Sequence, residues 1–197
     1  AIKVKDAMGV ENIAQREAEI TQYVMENLAK NELVVMLEPN IRERLAIVSF
    51  YIPGAHYNLV VRLLNDKFGV QTRGGCSCAG TYGHILLNVD QDTSSKITQQ
   101  IDLGDYGEKP GWIRASFHPT TSDKEVAFVV EAINQVSQNL VEWSKAYRFN
   151  PATGDYEHCT LDVEFPNLSS FNALPVKSVA IKEQLPERSS ILHKIFG

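Results

Sequence analysis

The sequence predicts an α/β (α+β) domain: a small, mostly antiparallel sheet of three to four strands covered by helices, with an irregular extension at the C-terminal end. Three observations predict it. Helix-period and strand-like runs succeed one another from residue 10 to about residue 148. The links between strand-like runs are mostly too short for a large parallel sheet, whose crossovers need a dozen or more residues. After residue 150 the prolines Pro151, Pro166, Pro175 and Pro186 are spread through chain with no sustained period. The expected division is therefore a domain at 1–149 and an extension at 150–197, the latter with a short terminal helix near 190–196.

Taken in order, Ala1 to Met8 reads as the middle of a packed element, and with no Met at position 1 the sequence reads as a piece of a longer polypeptide. From Val10 to Lys30 apolar residues recur at three- and four-residue steps (Val10, Ile13, Ala14, Ala18, Val24, Met25, Leu28), which predicts an amphipathic helix of about five turns. Leu33–Leu37 and Leu45–Ile52 are β-branched, apolar runs and read as strands. The second is apolar at nearly every position, as a central, well-covered strand would be. Pro53-Gly54 ends it. A helix over His56–Phe68 follows from the stripe Leu59, Val60, Leu63, Leu64, Phe68, with Gly69 as its stop.

Val70–Arg73 reads as a short strand running into a glycine-cysteine loop, Gly74-Gly75-Cys76-Ser77-Cys78-Ala79-Gly80. Short helices are expected near 82–89 and 94–101, the second with Thr93-Ser94-Ser95-Lys96 as its capped start. Gly111–His118 alternates Ile113, Ala115, Phe117 with Arg114, Ser116, His118, which predicts a strand. Ser122-Asp123-Lys124-Glu125 has the capping-box pattern and opens the longest helix, expected to end near Arg148.

Composition removes several function classes. With 24 acidic and 19 basic residues the net charge is −5, which gives no basic face for nucleic acid. No apolar run approaches the ~20 residues a membrane span requires, and the N-terminus lacks the layout of a signal peptide. Three cysteines, Cys76, Cys78 and Cys159, are too few for a disulfide scaffold and point to a reducing, cytoplasmic setting.

Two places can carry chemistry. A thiol in the loop could be activated by Arg73 and by the N-terminus of the helix that follows. The same residues equally describe a glycine-rich turn with two small buried thiols. Cys76, Cys78 and His84 could supply three zinc ligands, but C-x-C is not the usual C-x2-C knuckle and no partner pair sits at a suitable spacing. Cys159 is distant and incidental. Arg114 is expected to point away from the local core, where a strand-held guanidinium can grip a carboxylate with two parallel hydrogen bonds; a surface salt bridge is the other reading. His118, His84 and His56 read as hydrogen-bonding residues near turns, and Trp143 and Tyr147 as core or interface aromatics.

These segments resemble a known family. Arg73-Gly74-Gly75-Cys76-Ser77-Cys78-Ala79 is similar to the R-x-G-x-x-C-A loop of cysteine desulfurases and selenocysteine lyases, members of the class V aminotransferase group of pyridoxal-phosphate enzymes. Gly111-Trp112-Ile113-Arg114-Ala115-Ser116-Phe117, with the Thr-Ser-Asp-Lys-Glu-Val helix start after it, resembles that family's R-A/L-S strand. The two motifs stand in order, about 36 residues apart. The resemblance covers residues 1–148 and implies the C-terminal small domain of such an enzyme, in a fold type I transferase.

The resemblance implies that Cys78, directly before Ala79, is the persulfide-forming cysteine. It implies that Arg114 binds the substrate α-carboxylate and that Arg73 opens the cysteine loop. Pyridoxal phosphate would belong to the full-length parent, where a thiolate attacks the sulfur or selenium of a cysteine- or selenocysteine-like amino acid and alanine leaves. The Schiff-base lysine and phosphate cup sit upstream, in a large domain, and no lysine here lies in a matching motif. No cofactor is therefore expected on these 197 residues alone, and the parent is expected to be a homodimer. Cys76-Ser77 stands where the family often has His-His, so Cys76 is a possible second thiol that could substitute, resolve a persulfide or do nothing. A related class V aminotransferase with non-desulfurase chemistry, either transamination or another pyridoxal-phosphate elimination, and a non-catalytic interaction module are the other readings.

Overall fold

The computed structural model describes residues 2–76 and 80–160. The chain divides into a body, residues 13–160, and a second unit to which residues 2–12 belong. In that second unit lies α1 (Ile2–Met8). It is helical but buries none of its residues, with Ile2 and Val4 exposed, so it is not the packed element the sequence suggests. Gly9, at φ +81°, ends it, and α2 (Val10–Leu28) begins immediately after.

The body is built on a four-stranded antiparallel sheet in the order β1-β2-β4-β3, formed by β1 (Val35–Met36), β2 (Ile47–Tyr51), β3 (Arg73–Gly75) and β4 (Trp112–Ser116). The fold class is thus the one expected. Side chains alternate between the two faces of a strand, and the register makes complete rows. Met36, Phe50, Ile113 and Gly74 form one row toward the helices. Ser49, Arg114 and Arg73 form a row on the opposite face.

Three helices cover the first face: α2, α3 (Tyr57–Phe68) and α6 (Asp123–Ser144). Ile20, Val24, Met25 and Leu28 of α2, Leu59, Val60, Leu63 and Leu64 of α3, and Val126, Val130, Ile133 and Val136 of α6 share one core with Val48, Phe50, Ile113 and Ala115. These are the stripes whose three- and four-residue spacing is visible in sequence. β2 is central, but only Val48 and Phe50 of its five residues are fully buried. Its continuous apolar run therefore covers one face completely and the other only in part.

Local chemistry sets the element ends. The His56 ring accepts the Asn58 N–H at the start of α3, and Gly69 closes it in the left-handed conformation, φ +67°. Asp90, not Thr93, caps α5 (Gln91–Asp102): its carboxylate accepts the Thr93 N–H at 2.8 Å. α4 (Gly80–Leu86) precedes it. The Ser122–Glu125 capping box is formed in both directions.

Two differences from the sequence reading have physical causes. α6 stops at Ser144 rather than near Arg148, because Tyr147 enters a hairpin, β5 (Tyr147–Asn150) and β6 (Asp155–His158). Regular structure therefore continues past residue 150, where irregular chain is expected. The hairpin docks on α3: Tyr147 Oη donates to Asp66 Oδ2 at 3.1 Å, and Asn58 Nδ2 donates to the Gly154 carbonyl at 2.6 Å. Second, β3 begins at Arg73 instead of ending there, so Gly74 and Gly75 are strand residues. The terminal helix expected near 190–196 lies outside the described residues. Among the described residues no helix is long and apolar enough to cross a membrane.

Two solution outcomes follow from the ends of α6. Glu125 is held below the ordinary carboxylate value of 4.5 by the Ser122 backbone N–H and hydroxyl. Its contribution is complete above pH 4.5 and is lost as pH falls through its lowered value in the folded state. Glu125→Gln should flatten the acid limb of a urea-stability profile, and Ser122→Ala should cost about 1 kcal/mol at neutral pH. Tyr147 is pushed up to about 12, by burial first and by the Asp66 charge second. The hairpin contact is then at full strength below pH 10 and is lost as pH rises toward 12. Tyr147→Phe should remove that alkaline slope, read by thermal unfolding across the same range.

Candidate functional site

The site is built on the face of the sheet that the three long helices do not cover. On β4, Ile113 and Ala115 go to the core, and alternation turns Trp112, Arg114 and Ser116 to the other side. Arg114 is half-buried there, and its Nε is buried with no hydrogen-bond partner among the described residues. Directly across β4's two neighbours stand Ser49 on β2 and Arg73 on β3. Arg73 is exposed.

Two guanidinium side chains therefore occupy facing positions on one side of an antiparallel pair. Like charges in that arrangement repel, and among the described residues neither arginine forms an ion pair. A planar anion placed between them would turn the repulsion into two charge-assisted hydrogen-bonding contacts. Next to the pair, a depression of about 390 Å³ has Ile47, Leu86 and Trp112 as apolar walls and Ser49 on its lining. The face thus joins cationic and apolar surface.

Cys76 follows β3 directly and is half-buried. A β-carbon placed on Gly83 of α4 would lie 3.5 Å from the Cys76 Cβ and 3.3 Å from the Trp112 ring. α4 therefore sits close over Trp112 because residue 83 has no side chain. His84 Nδ1 and Ser94 Oγ are 2.6 Å apart, which ties α4 to α5. Cys78 lies outside the described residues. Cys159 is exposed at the end of the hairpin, and its backbone N–H bonds the Ala146 carbonyl.

His56 and His118 hold local structure. His56 caps α3 and stacks on Tyr57 at 4.4 Å. Burial keeps its ring below the ordinary value of 6.5, with the Tyr106 backbone carbonyl and the Glu108 and Asp155 charges opposing. His118 accepts the Thr120 N–H. Among the described residues no group of three or more His, Cys, Asp or Glu is placed to hold a metal ion.

Sequence reasoning singled out Arg73, Arg114 and Cys76 one at a time. It missed Ser49, Trp112 and Leu86 as parts of the same face. The polar Ser49 inside an otherwise apolar strand was the available signal. The donor set fits a carboxylate. It does not by itself fit pyridoxal phosphate, because none of β1 to β4 carries a lysine to take the aldehyde.

A mixed domain of this kind, an antiparallel sheet with its three long helices packed on one face, sets the class. Residues 1–129 match the family model described as aminotransferase class-V, and the chain belongs to that family. No curated protein matches it. Among solved structures, the apo cysteine desulfurase of Thermococcus onnurineus NA1 is 24% identical, with a TM-score of 0.48, over 68% of this chain and 28% of that one. The cysteine desulfurase CsdA (S-sulfonic acid) of Escherichia coli is 18% identical, with a TM-score of 0.41, over 65% of this chain and 26% of that one. The chain thus spans little more than a quarter of the length of either.

The facing arginines make a test possible without any substrate. Arg73→Gln should stabilise the fold at low ionic strength by about 0.5 kcal/mol, and the gain should shrink as salt screens the pair. Urea denaturation at two salt concentrations checks it; equal stability of the two proteins at low salt would show that the guanidiniums do not feel each other.

Proposed function

We propose that residues 1–149 form the small domain of a pyridoxal-phosphate enzyme of cysteine desulfurase type, with 150–197 as an extension. Membership of the aminotransferase class-V family supports the cofactor, which the remainder of a longer parent would hold. The observation that carries the reading is the register of Arg73 opposite Arg114, on the strand that leads straight into Cys76. A carboxylate gripped at that row holds an amino acid by its fixed end, which leaves the side-chain end to be met by a thiol.

In this reading Arg114 grips the α-carboxylate and Arg73 adds a second positive charge. Cys78 takes the sulfur or selenium: its thiolate forms the new bond to that atom, and the electron pair of the broken carbon bond stays with the carbon released as alanine. Cys76 is a second thiol on the same approach. The substrate is cysteine or a selenocysteine-like amino acid, the other wall of the site is a large pyridoxal-phosphate domain, and the parent acts as a homodimer in the cytoplasm. The 197 residues by themselves are catalytically silent.

One observation favours a second reading within the family. Cys76-Ser77 replaces the His-His common before the family's cysteine, so the parent could carry out transamination, with Arg114 still on the carboxylate and both thiols dispensable.

The full-length parent separates the two. Under the desulfurase reading, with dithiothreitol supplied to reduce the Cys78 persulfide, it releases alanine and sulfide from cysteine, Cys78→Ala abolishes both products, and Arg114→Gln raises KM by about 30-fold, the worth of a charge-assisted hydrogen bond. Full release of alanine and sulfide by Cys78→Ala would overturn the role given to Cys78, whereas formation of the 2-oxo acid without sulfide, unaffected by Cys78→Ala, would point to transamination. The isolated 197 residues should show no stoichiometric absorbance of bound pyridoxal phosphate.

A further inference from the structure

The glycines at the edge of the sheet face one aromatic ring. Tyr57, the first residue of α3, is 8% exposed and belongs to the core. A β-carbon on Gly111 would stand 2.5 and 2.6 Å from Tyr57 Cδ1 and Cε1, and 2.9 Å from the Gly75 Cα. One on Gly74 would stand 2.7 Å from Tyr57 Cδ2. One on Gly75 would touch Cε2 at 3.8 Å. The first two distances are ones that real β-carbons do not reach, so the ring and the backbones of β3 and β4 fit only because those positions are bare.

The ring is held from the other side as well. His56 stacks on it, tilted by 26°, and is itself fixed by accepting the Asn58 N–H. Gly75 then takes φ +112°, a conformation that favours glycine, and the next residue is Cys76. The Tyr57 hydroxyl is pushed above its ordinary value of 10, by burial first and by the charge of a Cys76 thiolate second, as expected of a hydroxyl near that sulfur.

We propose that Tyr57 is a positioning residue for the thiol segment: its ring, seated against Gly74, Gly75 and Gly111, fixes where and in which direction the chain leaves β3 at Cys76. The tie to catalysis rests on the function proposed above; the tie to Cys76 does not. Aromatic packing supplies the position, so the hydroxyl is dispensable and the ring is not.

The test reads the thiol itself. In the protein carrying Cys78→Ala and Cys159→Ser, Cys76 is the one cysteine left of three, and its rate of alkylation by iodoacetamide reports its exposure. Tyr57→Phe should leave that rate within about twofold, whereas Tyr57→Ala should raise it about tenfold, since loss of a buried ring favours local opening. Tyr57→Leu serves if the alanine variant does not fold, and should raise the rate about threefold by the same reasoning. Val136→Ala, in the core of α6, is the reference for general loosening and should leave the rate unchanged.

An unchanged rate in folded Tyr57→Ala or Tyr57→Leu would overturn the proposal, as would an equal rise in Tyr57→Phe or in Val136→Ala. In the full-length parent, Tyr57→Leu should lower kcat with little change in KM, because the carboxylate grip is intact; a rise in KM alone would also overturn it. A parent that makes no alanine from cysteine would sink the desulfurase reading while leaving the alkylation result standing.

Discussion

The pairing of β4 with both its neighbours is the constraint on which the rest of this structure depends. One five-residue strand supplies Ile113 and Ala115 to the core and Trp112 and Arg114 to the opposite face. Because β2 and β3 flank it in register, the same pairing that places Phe50 beside Ile113 also places Ser49 and Arg73 beside Arg114. The hydrophobic effect fixes the register, since slipping it by one residue would send Arg114 into the core. The cationic row is then obtained without any separate device to hold it.

The three long helices take one face, and on the other the short α4 lies over Trp112. The covered face has aliphatic rows under α2, α3 and α6. The open face combines the two guanidiniums, a hydroxyl at Ser49 and apolar walls at Ile47, Leu86 and Trp112. The hairpin at 147–158 packs on α3, so it buttresses the helix that carries Tyr57.

Much of this was legible in the residues themselves. The spacing of Val24, Met25 and Leu28, of Leu59 to Leu64, and of Val126 to Val136 gave each helix its buried face, because burial on one side of a helix must recur at its own period. The Ser122–Glu125 box and Gly69 marked ends by local chemistry that needs no tertiary knowledge. What could not be read was non-local. Tyr147 continues the helical stripe of α6, and only its pairing with His158, eleven residues on, pulls it into a strand. Gly74 and Gly75 have loop-like chemistry, and they are strand residues because they pair with Ile113 and Trp112; the Tyr57 ring leaves no room for a side chain at 74, and φ +112° favours glycine at 75. Asp90 outcompeted Thr93 as a cap because its carboxylate reaches both the Thr93 N–H and its hydroxyl. Of the site, single residues were visible, and their sharing of one row was not.

The short link from Gly69 to Arg73 carries a consequence of arithmetic. Gly69, Val70, Gln71 and Thr72 are all that separates the last residue of α3, Phe68, from the first residue of β3. With α3 anchored and side chains alternating in sign along the strand, the parity of that link decides on which side Arg73 emerges. Odd insertions or deletions there would exchange the roles of guanidinium and glycine, whereas even ones would conserve them, so sequence length in this stretch is itself a coded quantity.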